Sequence, residues 1–267
     1  MDRLGVNIGD EASARAGEII RVLVGSGVHG MAIEGTDDRD EMGVYIQPER
    51  EVLGLARSAG HWVARTAREG QRSGPDDTDL VMYGLRKFLR LATAGNPTVL
   101  IVLFADGEAL LNLTDLGREL QALAPAIVGH NAGRRFLGYL DGQLERMDGG
   151  GRRSRVPYRP ELIARHGYDT KYASHALRLG HQGIELLTTG RLHLPMPEPA
   201  LPRCVAVKRG EVGRDEARAW IDEVRLALAA VVEGEPQALA SQPDLDRVGD
   251  WMISAQRRFW GIAHGGE

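Results

Sequence analysis

Apolar residues fall into short runs in the first part of the chain and into helical stripes in the rest. Positions 19–24 (IIRVLV) are apolar except for Arg21 and read as a buried strand. Residues 42–46 make a second strand, stopped by Pro48, and 61–66 (HWVART) alternates weakly as a third. Ahead of them, 10–18 (DEASARAGE) predicts a short helix with Asp10 at its cap. Residues 49–60 show no period, and 71–77 (QRSGPDD) reads as a loop. The segment 80–94 predicts a helix, with Val81, Leu85, Phe88 and Ala92 spaced 4, 3, 4 and Gly95-Asn96-Pro97 ending it. The apolar run 99–104 fits a strand or a buried helix equally well.

From about residue 114 the period is helical. Leu116, Leu120, Leu123 and Ile127 repeat 4, 3, 4, and Leu137, Leu140, Leu144 and Met147 repeat 3, 4, 3. Gly149-Gly150-Gly151 reads as a connector. The stretch 195–202 is rich in proline, and further helices are expected near 214–232 and 243–260. Strands thus crowd into the first 105 residues. This order predicts an α+β fold, a mixed sheet with helices at 1–110 followed by a mainly helical domain at 111–267.

One predicted helix is two-faced in a way that bears on function. Between 169 and 189, Ala173, Leu177, Gly180, Ile184 and Leu187 form an apolar stripe. Lys171, His175, Arg178, Gln182 and Glu185 repeat with the same spacing, offset by two residues and so about 200° round the helix. The polar stripe is either a solvated surface or a cationic wall for an anionic ligand.

Composition narrows the field modestly. With 43% hydrophobic and 26% charged residues, the chain reads as an ordinary soluble globular protein. No apolar run approaches the roughly 20 residues that span a bilayer, and the N-terminus lacks the order of a signal peptide. The single cysteine, Cys204, excludes a disulfide within the chain and a cysteine-cluster metal site. A cytoplasmic location without membrane association is the expectation. The net charge of −4 hides a basic middle, Arg134-Arg135 and Arg152-Arg153 with Arg155 and Arg159, that suits either a phosphate backbone or plain solvent.

The richest chemistry lies at 19–48 (IIRVLVGSGVHGMAIEGTDDRDEMGVYIQP). Gly25-Ser26-Gly27-Val28-His29-Gly30 has the G-x-G-x-x-G form of a dinucleotide turn, but that reading requires a crossover helix next. The chain instead reaches a knot of acids and a second strand. In extended backbone, residues two apart share a face, so Asp38 and Asp40 project together and can share hard divalent cations. Gly25 and Ser26 can then offer amides and a hydroxyl to phosphates.

VGSGVHG, then D-x-D, then GVYIQP, resembles the signature of the DNA polymerase β nucleotidyltransferase superfamily. The similarity is greatest to a bacterial and phage branch, some of whose members are found beside RNA ligases in RNA-repair operons. It continues through 79–97 (DLVMYGLRKFLRLATAGNP), 167–179 (GYDTKYASHALRL) and 185–195 (ELLTTGRLHLP). The resemblance implies a polymerase β-like N-terminal sheet. It implies that Gly25 and Ser26 hold nucleotide phosphates, with His29 and Gly30 matching the branch's histidine-glycine. It makes Asp38 and Asp40 metal ligands and asks for a third carboxylate, for which Asp79 is the choice and Asp77 the reserve. Asp79 also precedes the helix expected at 80–94, where it would serve as a cap. Lys171, with His175 and Arg178, becomes a nucleotide-binding wall.

The expected function is Mg²⁺- (or Mn²⁺-) dependent transfer of a nucleoside monophosphate from an NTP such as ATP to an acceptor hydroxyl. The acceptor expected is an RNA end, a tRNA or a broken RNA, with a protein or small molecule as the alternative. A non-catalytic protein of the same fold, antitoxin-like or RNA-binding, is the rival from another class, and a Rossmann oxidoreductase is a distant third.

Overall fold

The computed structural model describes residues 9–33, 38–55, 59–67, 74, 77–147, 159–235 and 238–262. The connector at 149–151, Arg152, Arg153 and Arg155, and most of the loop expected at 71–77 lie outside them. The fold is α+β. Five strands, β1 (Glu18–Leu23), β2 (Arg39–Tyr45), β3 (His61–Arg65), β4 (Thr78–Gly84) and β5 (Leu110–Leu113), form a mixed sheet ordered β3-β4-β2-β1-β5. Only β2 and β4 run parallel; the other three pairings are antiparallel. β5 lies past the stretch where strands were expected.

Among the described residues the helices are α1 (Glu11–Ala16), α2 (Gly25–Val28), α3 (Glu49–Leu53), α4 (Leu85–Thr93), α5 (Pro97–Phe104), α6 (Asp115–Ala122), α7 (Ala124–Ile127), α8 (Ala132–Met147), α9 (Pro160–His166), α10 (Thr170–Thr189), α11 (Ala200–Arg209), α12 (Arg214–Glu233) and α13 (Leu245–Trp260). Asp10 caps α1 as its position implied, accepting from Ser13 N at 2.9 Å. The undecided run near residue 100 is helix α5. Asn96 caps it and Pro97 occupies its first turn. All eight of its residues except Thr98 are buried, so apolar side chains surround it and no period could mark it as helix.

The helix expected from residue 80 is corrected by the structure. Residues 80–84 belong to β4, whose inward side chains alternate, and α4 begins only at Leu85 behind Gly84. Val81 matched a helical stripe by coincidence of spacing. Leu80 and Met82 pack with Tyr45, Trp62 and Ala14 of α1 on one sheet face. The other face presents Ile20, Val22, Met42 and Val44 to the helices in an apolar cluster that continues as far as Ala255.

Helix α10 is the axis of the helical part, packed against α8, α11 and α12. Asp169 caps it through Lys171 N and Tyr172 N, and Gly190 ends it in the left-handed conformation at φ +75°. Its close contacts rely on glycine: a Cβ on Gly180 would stand 2.6 Å from Val224 Cγ1 and 3.1 Å from Leu140 Cδ1. Alanine gains up to about 1 kcal/mol of helix propensity, whereas overpacking a core costs about 1–3 kcal/mol. Gly180→Ala is therefore expected to lower the urea midpoint, and a raised midpoint would show that α12 yields freely.

Candidate active site

The parallel pairing of β2 and β4 builds the acidic side of the site. It sets Asp40 opposite Asp79 in register, and Asp38, two residues before Asp40, shares their face. Asp38, Asp40 and Asp79 each bring a carboxylate oxygen within 4.8 Å of the others, and all three are half-buried. At an effective dielectric of about 20, two ionised carboxylates at that distance repel by about 3 kcal/mol before solvent screening. Arg65, opposite Asp79 on β3, offsets part of this with its Nε 3.6 Å from Asp79 Oδ1. Three hard oxygen donors on one spot are a ligand set for Mg²⁺ or Mn²⁺ and unsuited to a soft metal.

Asp79 lies inside β4 and does not cap a helix, because α4 begins only at Leu85, with Gly84 at its cap position. Asp77 is committed to its own turn. Its carboxylate accepts from Thr66 Oγ1 at 2.8 Å and Gly74 N at 2.9 Å, which hold it below the usual carboxylate range.

The phosphate-type turn approaches the acids closely. Gly25 has φ +72°, and any Cβ there would fall 2.2 Å from Asp40 Oδ2. Glycine is required twice, for the backbone conformation and for the space. After the single turn of α2 the chain passes to β2, antiparallel to β1. No βαβ crossover follows, so the dinucleotide reading has no structural support.

Helices close the opposite side. A cavity of about 390 Å³ is lined by Gly25, Ser26, His29, Asp40 and Asp79, by Val63, Arg65, Val81 and Tyr83 on the sheet, by Pro97, Thr98 and Ile101 of α5, by Tyr139 and Gln143 of α8, and by His175, Arg178 and Leu179 of α10. Lys171 and Gly30 do not line it. Lys171 lies one turn before His175, and Gly30 packs against Pro195 and Leu201.

The polar stripe of α10 is partly withdrawn from solvent, with Gln182 buried and Lys171, His175, Arg178 and Glu185 half-buried. Arg178 Nη1 donates to His29 Nε2 at 2.9 Å and to Gln182 Oε1 at 2.8 Å, and Gln182 Nε2 lies 3.2 Å from His29 Nδ1. Accepting from a guanidinium requires a lone pair on Nε2, so His29 is neutral. Burial, then Arg178 and His175, hold its pKa well below the histidine range. His175 is depressed likewise, by burial first and then by Arg178, Lys171, Lys208 and Arg159. Burial brings Arg178 itself down to about 10. Among the described residues no carboxylate forms an ion pair with Arg178.

Arg65, Tyr83, Tyr139, Gln143 and Lys208 were not foreseen. Strand pairing would have placed Arg65 beside Asp79, and alternation along β4 puts Tyr83 on the face of Asp79, but the other three depend on how helices meet the sheet. Of the basic middle, Arg135 donates to Ala94 O at 3.2 Å, and Arg159 turns inward to Asp169 Oδ2 at 3.6 Å and the Tyr172 ring at 5.2 Å.

Residues 11–216 match the model of the RNA repair pathway DNA polymerase β family. The chain belongs to that family. Among solved structures it is similar to a nucleotidyltransferase-like protein from Exiguobacterium sibiricum 255-15, with 11% identity over 93% of this chain and 77% of that one and a TM-score of 0.29. No curated protein matches the chain. Among the described residues no single helix is long and apolar enough to cross a membrane.

The buried histidines give the fold a defined acid sensitivity. His29, His175 and His181 are all held below the ordinary value of 6.5, with burial the first cause in each. In the unfolded chain they bind protons near that pH; in the folded protein they resist. Stability is therefore complete above about pH 6.5 and drains as pH falls from there toward the depressed values. The urea midpoint is expected to drop between pH 7.5 and about pH 5.5, where carboxylates are still ionised. Equal midpoints would mean that the folded protein accepts these protons freely.

Proposed function

We propose that this protein is a divalent-metal-dependent nucleotidyltransferase that moves a nucleoside monophosphate from an NTP to an acceptor hydroxyl and releases pyrophosphate. One observation carries the reading: Asp40 and Asp79, on adjacent strands with Asp38 converging on them, line the same cavity as a desolvated Arg178. Acids alone would suit any cation, and a buried arginine alone any anion. Together they suit a metal-bound polyphosphate. Membership of a polymerase β-type family supports the same chemistry.

Asp38, Asp40 and Asp79 would hold Mg²⁺ or Mn²⁺, and the lack of a side chain at Gly25 lets the turn approach Asp40 closely. A bound divalent cation supplies charge neutralisation at the reacting phosphate. Gly25 and Ser26 receive the leaving pyrophosphate from below. Arg178 neutralises its growing charge from above, with His175 beside it on the cavity lining and Lys171 one turn beyond, off the lining. The acceptor oxygen bonds to the α-phosphorus as the bond to the bridging β-phosphate oxygen breaks. The hydroxyl proton passes to Asp79 and then to solvent. In-line displacement puts the acceptor on the side of Asp79 away from Ser26, next to Arg65. An exposed arginine there favours an acceptor that carries phosphate, such as an RNA end.

Incubation with each α-labelled NTP, Mg²⁺ and total RNA is the direct test. Label is expected in RNA with the wild type and not with Asp38→Ala/Asp40→Ala. Asp79→Asn is expected to retain NTP binding and lose on the order of 10²–10⁴ in rate. NTP binding without turnover in the wild type would favour the non-catalytic rival. Label that enters RNA equally with the double variant would overturn the mechanism. Gly25→Ala is expected to abolish labelling too, because its methyl displaces the Asp40 carboxylate; full activity would show that the turn is not part of the site.

A further inference from the structure

The cavity has two unlike ends, and the transfer chemistry described above uses only one. The charged end is formed by Gly25, Ser26, Arg178 and the Asp40–Asp79 row. Two and four residues further along β4, Val81 and Tyr83 face the same cavity, with Val63 opposite Val81 on β3. Tyr139 and Gln143, one turn apart on α8, face it from the helical side. Tyr83 is held in place by His61, its ring centroid 6.3 Å from that of the imidazole at an interplanar angle of 19°. Tyr139, a large ring on the cavity lining, is 38% exposed.

We infer that this second end is the nucleobase slot, with the base stacked on Tyr139 above Val81 and Tyr83 and Gln143 reading its hydrogen-bonding edge. The inference rests on the nucleotidyl-transfer reading and adds the direction of the nucleoside. In-line displacement runs across the strands, from pyrophosphate at Ser26 to acceptor at Arg65. The nucleoside is attached to the same phosphorus and must leave that axis sideways. The cavity continues sideways along β4, from Asp79 to Val81 and Tyr83. An apolar floor with an aromatic roof takes a flat ring, and stacking is indifferent to which base it holds. Hydrogen bonding to the base then falls on Gln143. Its amide presents a donor and an acceptor side by side, and each base offers a matching pair to one of the amide's two orientations.

The test separates base from phosphate. Affinities of the full chain for each NTP and for inorganic tripolyphosphate, all with Mg²⁺, are measured by calorimetry. Tyr139→Ala is expected to weaken every NTP by on the order of tenfold and leave tripolyphosphate unchanged, while Tyr139→Phe retains NTP affinity. Gln143→Leu is expected to weaken NTP binding by about tenfold, again without touching tripolyphosphate. Parallel loss of NTP and tripolyphosphate in Tyr139→Ala, or no loss of either, overturns the slot. A wild type that binds tripolyphosphate as tightly as any NTP also overturns it and leaves the phosphate site standing. A wild type that binds neither removes the transfer reading itself.

Discussion

The site depends on a partly buried guanidinium held by a buried imidazole. Arg178 and His29 are 149 residues apart in sequence, and their hydrogen bond joins the turn after β1 to the central helix α10. Burying a charge without a carboxylate is expensive, and neutral hydrogen-bond partners offset only part of the cost. The same turn is held at two more points: Lys208 Nζ donates to Met31 O at 2.8 Å, and Met196 N donates to His29 O at 3.3 Å. The helical part therefore does more than roof the cleft. It fixes the backbone on which Gly25 and Ser26 sit, so the two walls cannot separate without breaking this joint.

The acidic wall has its own constraint. Asp40 and Asp79 meet only because β2 and β4 run parallel in one register. A slip of one residue would turn either carboxylate to the opposite face, where Tyr45, Trp62, Leu80 and Met82 pack. The apolar alternation that fills that face therefore also keeps the acids aligned. Stability and chemistry are read from alternate residues of the same strand.

Much of this arrangement was legible in the sequence. The aspartate pair, the glycine-serine turn, the first three strands and the long helix at 170–189 each carried a local signal, periodicity or turn chemistry, that tertiary contacts reinforced. The failures have physical causes. Residues 80–84 were absorbed into the helix that follows them because Leu80, Val81, Met82 and Tyr83 are all apolar or aromatic, so the alternating burial of β4 leaves no polar–apolar alternation in the sequence. Helix α5 was ambiguous because it is buried all round. Helices α9 and α11 went unseen, the second inside a proline-rich stretch where Ala200 to Arg209 is nonetheless helical. Arg178 and His29 were marked as ligands on resemblance, but their bond to each other joins distant segments and leaves no trace in local spacing.

The contact between Gly25 and the Asp40 carboxylate bears on how such a site can change over evolutionary time. The oxygen of Asp40 fills the volume that any side chain at position 25 would occupy. The two positions are locked in one direction only. A descendant can lose the acid and keep the glycine, since the turn at φ +72° still asks for it. It cannot replace the glycine first and keep a working acid. Decay of the chemistry therefore has a preferred order, and a relative that bears a side chain at position 25 has already given up the carboxylate at position 40 or moved it out of line.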